Sequence, residues 1–376
     1  MESSDWTFAD RLNLFYIWLK AWGNDLLRWR VPGPSSFEPR VSYGYDRIPS
    51  ADEGAFGGLV KVQDLNHYFS NQFIRPNILY LVSSALPYFP LRMAKWARIN
   101  GARLVINQNG VAYPGWYGEG WEKANRPMAK LLRMADHVIY QSEFCKKSAD
   151  CFLGQCEQKS TSILYNPVDT AFFSPSAGER KSKETYLLLA GSHWSLYRVT
   201  TAVDTLMLLR KNMNAVRLRI MGRYCWREDE REARGELVEY ARQKGVLEYC
   251  EILGPYTQRQ APELLRQCSV LLHTKYNDPC PRLVVEAMAC GLPVVYSATG
   301  GVPELVGAEG GVGVFGPLDW EKEHAPLPAA LAQAVEEVLQ DLEGYSKSAR
   351  LRATTAFGVE DWINKHEEIF YRVLHS

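Results

Sequence analysis

Short runs rich in β-branched and aromatic residues alternate with helix-patterned stretches along nearly the whole chain, and they fall into two sets. RVSYGY (40–45), NILYLVSS (77–84), RLVINQN (103–109), HVIYQS (137–142) and TSILYN (161–166) form the first, with helical patterns near 58–70, 89–100, 121–134 and 143–152. YLLLAG (186–191), RLRIMG (217–222), EILG (251–254), VLLHT (270–274), PVVYS (293–297) and GVGVF (311–315) form the second, again separated by helical patterns. Parallel neighbours need a crossover connection, so this alternation predicts parallel sheets covered by helices. The expected fold class is α/β: two Rossmann-like doubly wound units facing across a cleft. Open sheets of this kind take ligands beyond the carboxyl ends of their strands, which makes the cleft the expected site.

A chain of 376 residues is long enough for two units with full cores. Lys+Arg and Asp+Glu are equal at 43 each, so no net field favours nucleic acid, and a phosphate site has to be a local arrangement. The eight cysteines are scattered without a C-x-x-C pair, which speaks against zinc and thiol redox motifs and reads as reduced thiols of a cytosolic compartment. The histidines show no ligand spacing and Asp-x-Asp is absent, so no metal and no cofactor is expected. Nothing reads as a membrane span or a secretory leader.

Residues 7–30 predict one helix, with Thr7 and Asp10 as a capping box and Pro32-Gly33 ending it. Phe8, Leu12, Phe15, Leu19, Trp22, Leu26 and Trp29 make an apolar stripe. Such a helix can lie peripherally on a membrane, or pack on its own unit or a second subunit. Asp5, Asp10 and Asp25 dilute its positive charge and favour packing.

The chemistry concentrates in DPCPRLVVEAMACGLPVV, residues 278–295, and the TGGVPELV that comes soon after. Pro279 and Pro281 predict a turn over 278–281 and a helix from about Arg282. The amides of Arg282, Leu283 and Val284 then face the cleft as a phosphate site. Glu286 follows one turn later, placed to accept hydrogen bonds from ribose hydroxyls. The Gly57-Gly58 and Gly300-Gly301 pairs offer close backbone approach to a ligand. In VAYPGWYGEGW (111–121), Tyr113, Trp116 and Tyr117 are candidates to stack on sugar rings and Glu119 to bind a hydroxyl, the alternative being a packed loop.

This segment resembles the family-four, retaining nucleotide-sugar glycosyltransferases of GT-B fold, whose signature is a Glu, seven residues, and a second Glu opening Glu-Ala-Met-Ala-x-Gly-x-Pro-Val. Glu286, Ala287, Met288, Ala289, Gly291, Pro293 and Val294 match, and Asp278 replaces the first Glu. The resemblance covers about 40–373. It implies an N-terminal acceptor-side domain over 1–175, a donor domain over 176–357, and a last helix, 358–376, crossing back onto the first domain. SAGERKSKE (176–184) reads as the linker.

By the same resemblance, Asp278 contacts the donor sugar and Asn109 stands where His is frequent. The family's Arg-x5-Lys after the first strand of the donor domain is here Ser192 and Arg198. Arg198 keeps the phosphate-binding charge and Arg282 is a candidate to replace the missing one. The implied function is metal-independent, retaining transfer of a sugar from a nucleotide-diphosphate donor such as a UDP- or GDP-sugar to a hydroxyl of a glycan, a lipid-linked acceptor or a small molecule. The replacements at 109, 192 and 278 leave a second reading, a non-catalytic relative that binds a nucleotide sugar or a partner protein.

Overall fold

The computed structural model describes residues 8–29, 38–50, 57–155, 160–176 and 184–376. Thr7, Pro32-Gly33, residues 51–56 before Gly57 and most of the linker lie outside those residues.

The first lobe runs α1 (Phe8–Trp29), β1 (Val41–Ser42), α2 (Gly57–Tyr68), β2 (Ile78–Val82), α3 (Pro90–Ile99), β3 (Arg103–Gln108), α4 (Pro114–Tyr117), α5 (Trp121–Met134), β4 (His137–Tyr140), α6 (Glu143–Phe152) and β5 (Ser160–Ile163). Its sheet is parallel, in the order β1-β2-β3-β4-β5. The second lobe runs β6 (Thr185–His193), α7 (Tyr197–Leu209), β7 (Val216–Tyr224), α8 (Glu230–Gln243), β8 (Cys250–Ile252), α9 (Ala261–Arg266), β9 (Val270–His273), α10 (Arg282–Ala289), β10 (Val294–Ser297), α11 (Val302–Val306), β11 (Gly311–Val314), α12 (Pro328–Gln340) and α13 (Leu342–Ala356). The last helix, α14 (Val359–His375), carries Trp362, Ile363, Ile369, Phe370 and Val373 into the first lobe's core beside Ile78 and Tyr80.

The central strands are continuous apolar runs because helices cover both faces; every residue of β2 and of β9 is buried. The second sheet has the order β11-β10-β9-β6-β7-β8. Strand order therefore reverses between β6 and β9. The connections leaving these two strands depart in opposite directions and open a crevice at their carboxyl ends, where ligands of such sheets bind.

The lobes touch at several points. Ser142, which caps α6, donates its hydroxyl to the Pro279 carbonyl at 2.7 Å, and Asn166 donates to the Cys280 carbonyl at 2.7 Å. Glu304 accepts the amides of Glu143 and Phe144 at 2.8 and 2.9 Å, placing a carboxylate on the amino end of α6. Beyond β11, the connector over 315–327 crosses the cleft. Trp320 enters an aromatic nest of Tyr113, Phe144 and Phe152 with ring centroids 5.0, 5.3 and 5.4 Å away. Gly115 donates its amide to the Trp320 carbonyl at 2.7 Å; a side chain at 115 would strike that same backbone.

Helix α1 packs differently from its apolar stripe. Its inner face is Asp25, Arg28 and Trp29, each 1% exposed, with Asp25 paired to Arg92 at 2.9 Å and Arg28 to Asp46 at 3.3 Å. Leu12, Phe15, Leu19 and Trp22 of the stripe are instead exposed. Ion pairs to the loop after β1 and to α3, together with Trp29 entering the first lobe's core, fix how the helix lies.

Candidate functional site

Arg198 stands at the second position of α7, just past β6. It is 5% exposed and donates Nη1 to the Ser192 carbonyl at 2.5 Å, while its buried Nε has no partner. The position where the family places a second cation thus supplies a carbonyl that orients this one. His193 is buried, stacked on Tyr224 at 5.7 Å rather than on Trp194, and burial drives its pKa down to about 3.

Across the strand reversal, β9 leads into Lys275, Tyr276, Asn277 and Asp278. Asn277 has φ +48°, a left-handed turn that redirects the chain before the two prolines. Lys275 Nζ lies 3.3 Å from Asp278 Oδ2, and His273 Nε2 lies 3.2 Å from the same oxygen, off the line of a good hydrogen bond. Burial alone would push the pKa of Asp278 up. Lys275, His273 and Arg198 outweigh it and hold the carboxyl below the usual carboxylate range. Asp278 is thus an anion held by the Lys275 and Arg198 cations.

The turn continues into α10. The amide of Val284 already donates to the Pro281 carbonyl at 3.1 Å, and its side chain is core, whereas no partner outside the helix takes the amides of Arg282 and Leu283 among the described residues. Glu286 is buried and accepts at Oε1 from Gln258 at 2.6 Å and from Arg282 at 2.9 Å. Arg282 also pairs with Asp64 of α2 at 2.5 Å. Arg282 is therefore a clasp from the first lobe to Glu286, not an uncommitted phosphate ligand. Gly300 and Gly301 pack onto the same turn: the Gly301 amide donates to the Asp278 carbonyl at 2.9 Å, and a side chain on either glycine would collide with the backbone of 277–279. Their close approach is to the protein's own turn. Gly58 is wedged against Ser84 and Ala85, and Gly57 is open to solvent.

A cavity of about 260 Å³ lies between the lobes, bordered by Asn109, Tyr113, Trp116, Lys275, Asn277 and Glu323. Asn109 donates its amide N–H to Ser83 at 2.9 Å and its side chain to Ser84, leaving Oδ1 buried without a partner. Tyr117 and Glu119 are exposed and lie outside this cavity's lining. A second cavity, about 390 Å³, is lined by Met221, Leu253, Gly254 and Tyr256, next to the Gln258 that holds Glu286. Sequence reasoning did not single out Lys275, Gln258, Tyr256 or Glu323. Of these, Lys275 was within reach, being a cation three residues before Asp278.

Lys61 of α2 was also missed. It is fully enclosed, with Nζ donating to Asn107 Oδ1 at 3.1 Å. Burial, helped by Arg282 and opposed by Cys280, Cys145 and Asp64, takes its pKa from 10.5 to about 7. The unfolded chain then binds the extra proton between those values, so stability should climb as pH rises from about 7 towards 10.5. Lys61→Met is expected to flatten that slope and raise stability below pH 7 by a few kcal/mol, because Asn107 Oδ1 keeps the Gln141 donor at 3.1 Å. Denaturant titrations of both proteins across this range would show it; an unchanged slope in the variant would assign the dependence elsewhere.

Two facing parallel sheets, with a cavity at the strand reversal of one and the strand ends of the other, define the GT-B class. Residues 173–353 match the family model "Glycosyl transferases group 1". That match lies in the second lobe, and the chain as a whole has the GT-B fold; it spans about two thirds or less of the curated relatives it matches. The chain is 27% identical over 293 residues to the glycogen synthase of Mycobacterium tuberculosis (strain ATCC 25618 / H37Rv), a match spanning 77% of this chain and 66% of that protein. Among solved structures it resembles Anabaena Alr3699/HepE in complex with UDP, with TM-score 0.63 and 21% identity over 83% of this chain and 81% of that one. The sucrose-phosphate synthase of Thermosynechococcus elongatus gives TM-score 0.65 and 17% identity over 84% and 76% of the two chains. Both structural likenesses concern the fold.

Proposed function

We propose that this chain moves a sugar, with retention and without a metal, from a nucleotide-diphosphate donor to a hydroxyl of a glycan or lipid-linked acceptor. The observation that carries the reading is the buried Arg198, its Nε unpartnered, beside Lys275 and Asp278 at the point where strand order reverses. A diphosphate supplies the acceptor that Arg198 Nε lacks and is met on its other side by the free amides of Arg282 and Leu283. Glu286, held at Oε1 by Gln258 and Arg282, takes the ribose, with the base in the cavity of Leu253 and Tyr256. Asp278 reads the donor sugar, and the acceptor enters past Asn109, Tyr113 and Trp116. Anabaena HepE is solved with UDP and with UDP-glucose, which makes uridine donors the first to try.

Asn109 does not titrate near neutrality, so the acceptor proton passes to the leaving phosphate. Isothermal calorimetry with UDP and GDP, followed by donor turnover across a sugar panel, is expected to give binding of one nucleotide and turnover of at least one donor. Absence of binding to both nucleotides defeats the proposal. Glu323 favours a second reading: its carboxylate borders the cavity near Lys275 and Arg198 and would oppose the negative charge that builds on a departing diphosphate, so a donor could be held without being turned over. Nucleotide binding without turnover of any donor would establish that non-catalytic alternative.

A further inference from the structure

A groove of about 520 Å³ lies on the far side of the loop after β2, between that loop, the loop after β1 and the inner face of α1. Its floor is Ile17, Ala21, Leu86, Pro87 and Met93; its polar rim includes Lys20, Asn24, Tyr45 and Asp46. The wall is built rather than incidental. Asn24 donates to Asp46 at 2.6 Å, Tyr45 donates its hydroxyl to the Ala85 carbonyl at 2.6 Å, and Arg28, 1% exposed, leaves Nε without a partner. This groove and the interlobe cavity share one loop: Ser84 borders the cavity, and Leu86, Pro87 and Tyr88 border the groove. Two residues of chain span at most roughly 7 Å, so one elongated molecule reaches both.

Beside the groove, α1 carries a ladder of stacked rings. Phe15 and Trp18 lie 6.1 Å apart at 14°, and Trp18 and Trp22 lie 6.4 Å apart at 9°. All three are exposed, and Arg92 sits over Trp18 at 5.8 Å while pairing with Asp25 on the groove side. Polar groups at the rim, an apolar floor and an exposed aromatic track call for a ligand with both characters.

We propose that the α1 groove holds the non-reacting part of an amphiphilic acceptor, a hydroxyl-bearing head joined to an apolar chain. The groove orients the head along the loop after β2, so that its reacting hydroxyl reaches Ser84 and Asn109. The apolar chain leaves along Phe15, Trp18 and Trp22. This rests on the transferase reading for its use, but not for its detection.

The test is direct binding of dodecyl maltoside, below its micelle threshold, against maltose, by calorimetry on the full chain. The wild type is expected to bind the dodecyl glycoside at least about tenfold more tightly. Ala21→Trp, which fills the groove from α1, is expected to remove that preference while the melting temperature and nucleotide titration stay as in the wild type. Leu27→Ser, on the outer surface of the same helix, is expected to keep it. Equal binding of the two sugars, an unaffected Ala21→Trp variant, or an equal loss in Leu27→Ser would each overturn the assignment. Titration with UDP and GDP reads the cleft separately, so a chain that binds the glycoside but neither nucleotide keeps the groove and loses the transferase reading.

Discussion

Arg198→Ala is expected to lower kcat/KM for donor turnover by roughly 10²–10³-fold, the usual consequence of removing one preorganised donor to a developing negative charge. The guanidinium is held before any ligand arrives: the Ser192 carbonyl fixes Nη1, and the body of the side chain is buried at the start of α7. Little reorganisation is needed when the diphosphate begins to leave, and water is kept from competing. Arg198→Lys keeps the charge but loses the planar fork, so it should fall between the two. Burial opposes the charge on Arg198, with Asp278 and Glu323 among the groups restoring it. The alanine variant also relieves that tension, so its melting temperature is expected to change far less than its turnover. Steady-state kinetics on a donor identified by calorimetry would decide it. Turnover within about threefold of wild type would remove Arg198 from the machinery.

Asp278→Asn is expected to separate affinity from chemistry. The carboxylate faces Lys275 and lies near Arg198, so neutralising it leaves more positive field for a diphosphate. Nucleotide affinity should hold or rise, while turnover falls by roughly 10²-fold because the donor sugar loses its charged acceptor. The stability consequence has a definite sign. A carboxyl whose folded pKa lies below the unfolded value of 3.8 stabilises the protein above that value and loses the contribution as pH falls through the folded one. The Asn variant should therefore lack part of the acid destabilisation seen in the wild type. Paired measurements of UDP or GDP affinity, turnover and denaturation at neutral and acid pH cover all three. Loss of nucleotide affinity alongside turnover would mean that Asp278 organises the turn rather than contacting the sugar.

Much of the architecture was readable because parallel strands buried on both faces are long apolar runs with no competing periodicity. RVSYGY, NILYLVSS and VLLHT each became a strand, shortened at the ends. The turn over 278–281 was also readable, since two prolines leave the backbone few choices. What the one-dimensional pattern concealed was partnership. Arg282 looked uncommitted because Asp64 lies far away in sequence. Gly300 and Gly301 suggested a ligand approach when their neighbour is the protein's own backbone. Glu323 and Trp320 sit in a polar connector with no periodic signal, and only the meeting of the lobes gives them a place. Of the α1 stripe, Trp29 does enter the core, but two ion pairs invisible to apolar periodicity also orient that helix and leave Leu12, Phe15, Leu19 and Trp22 exposed.

The chain passes between lobes twice, and the two passages lie side by side: the Val168 amide donates to the Phe357 carbonyl at 2.8 Å, and Val168 bridges Gly358 in parallel. A twin-threaded spine of this kind permits swinging about its own line while resisting twist and separation. It also means that the first lobe is not encoded in one continuous stretch, whereas the second is. A fragment stopping before the linker would expose the faces of Ile78 and Tyr80 that Trp362 and Phe370 cover, so α14 has to be synthesised before the first lobe can close.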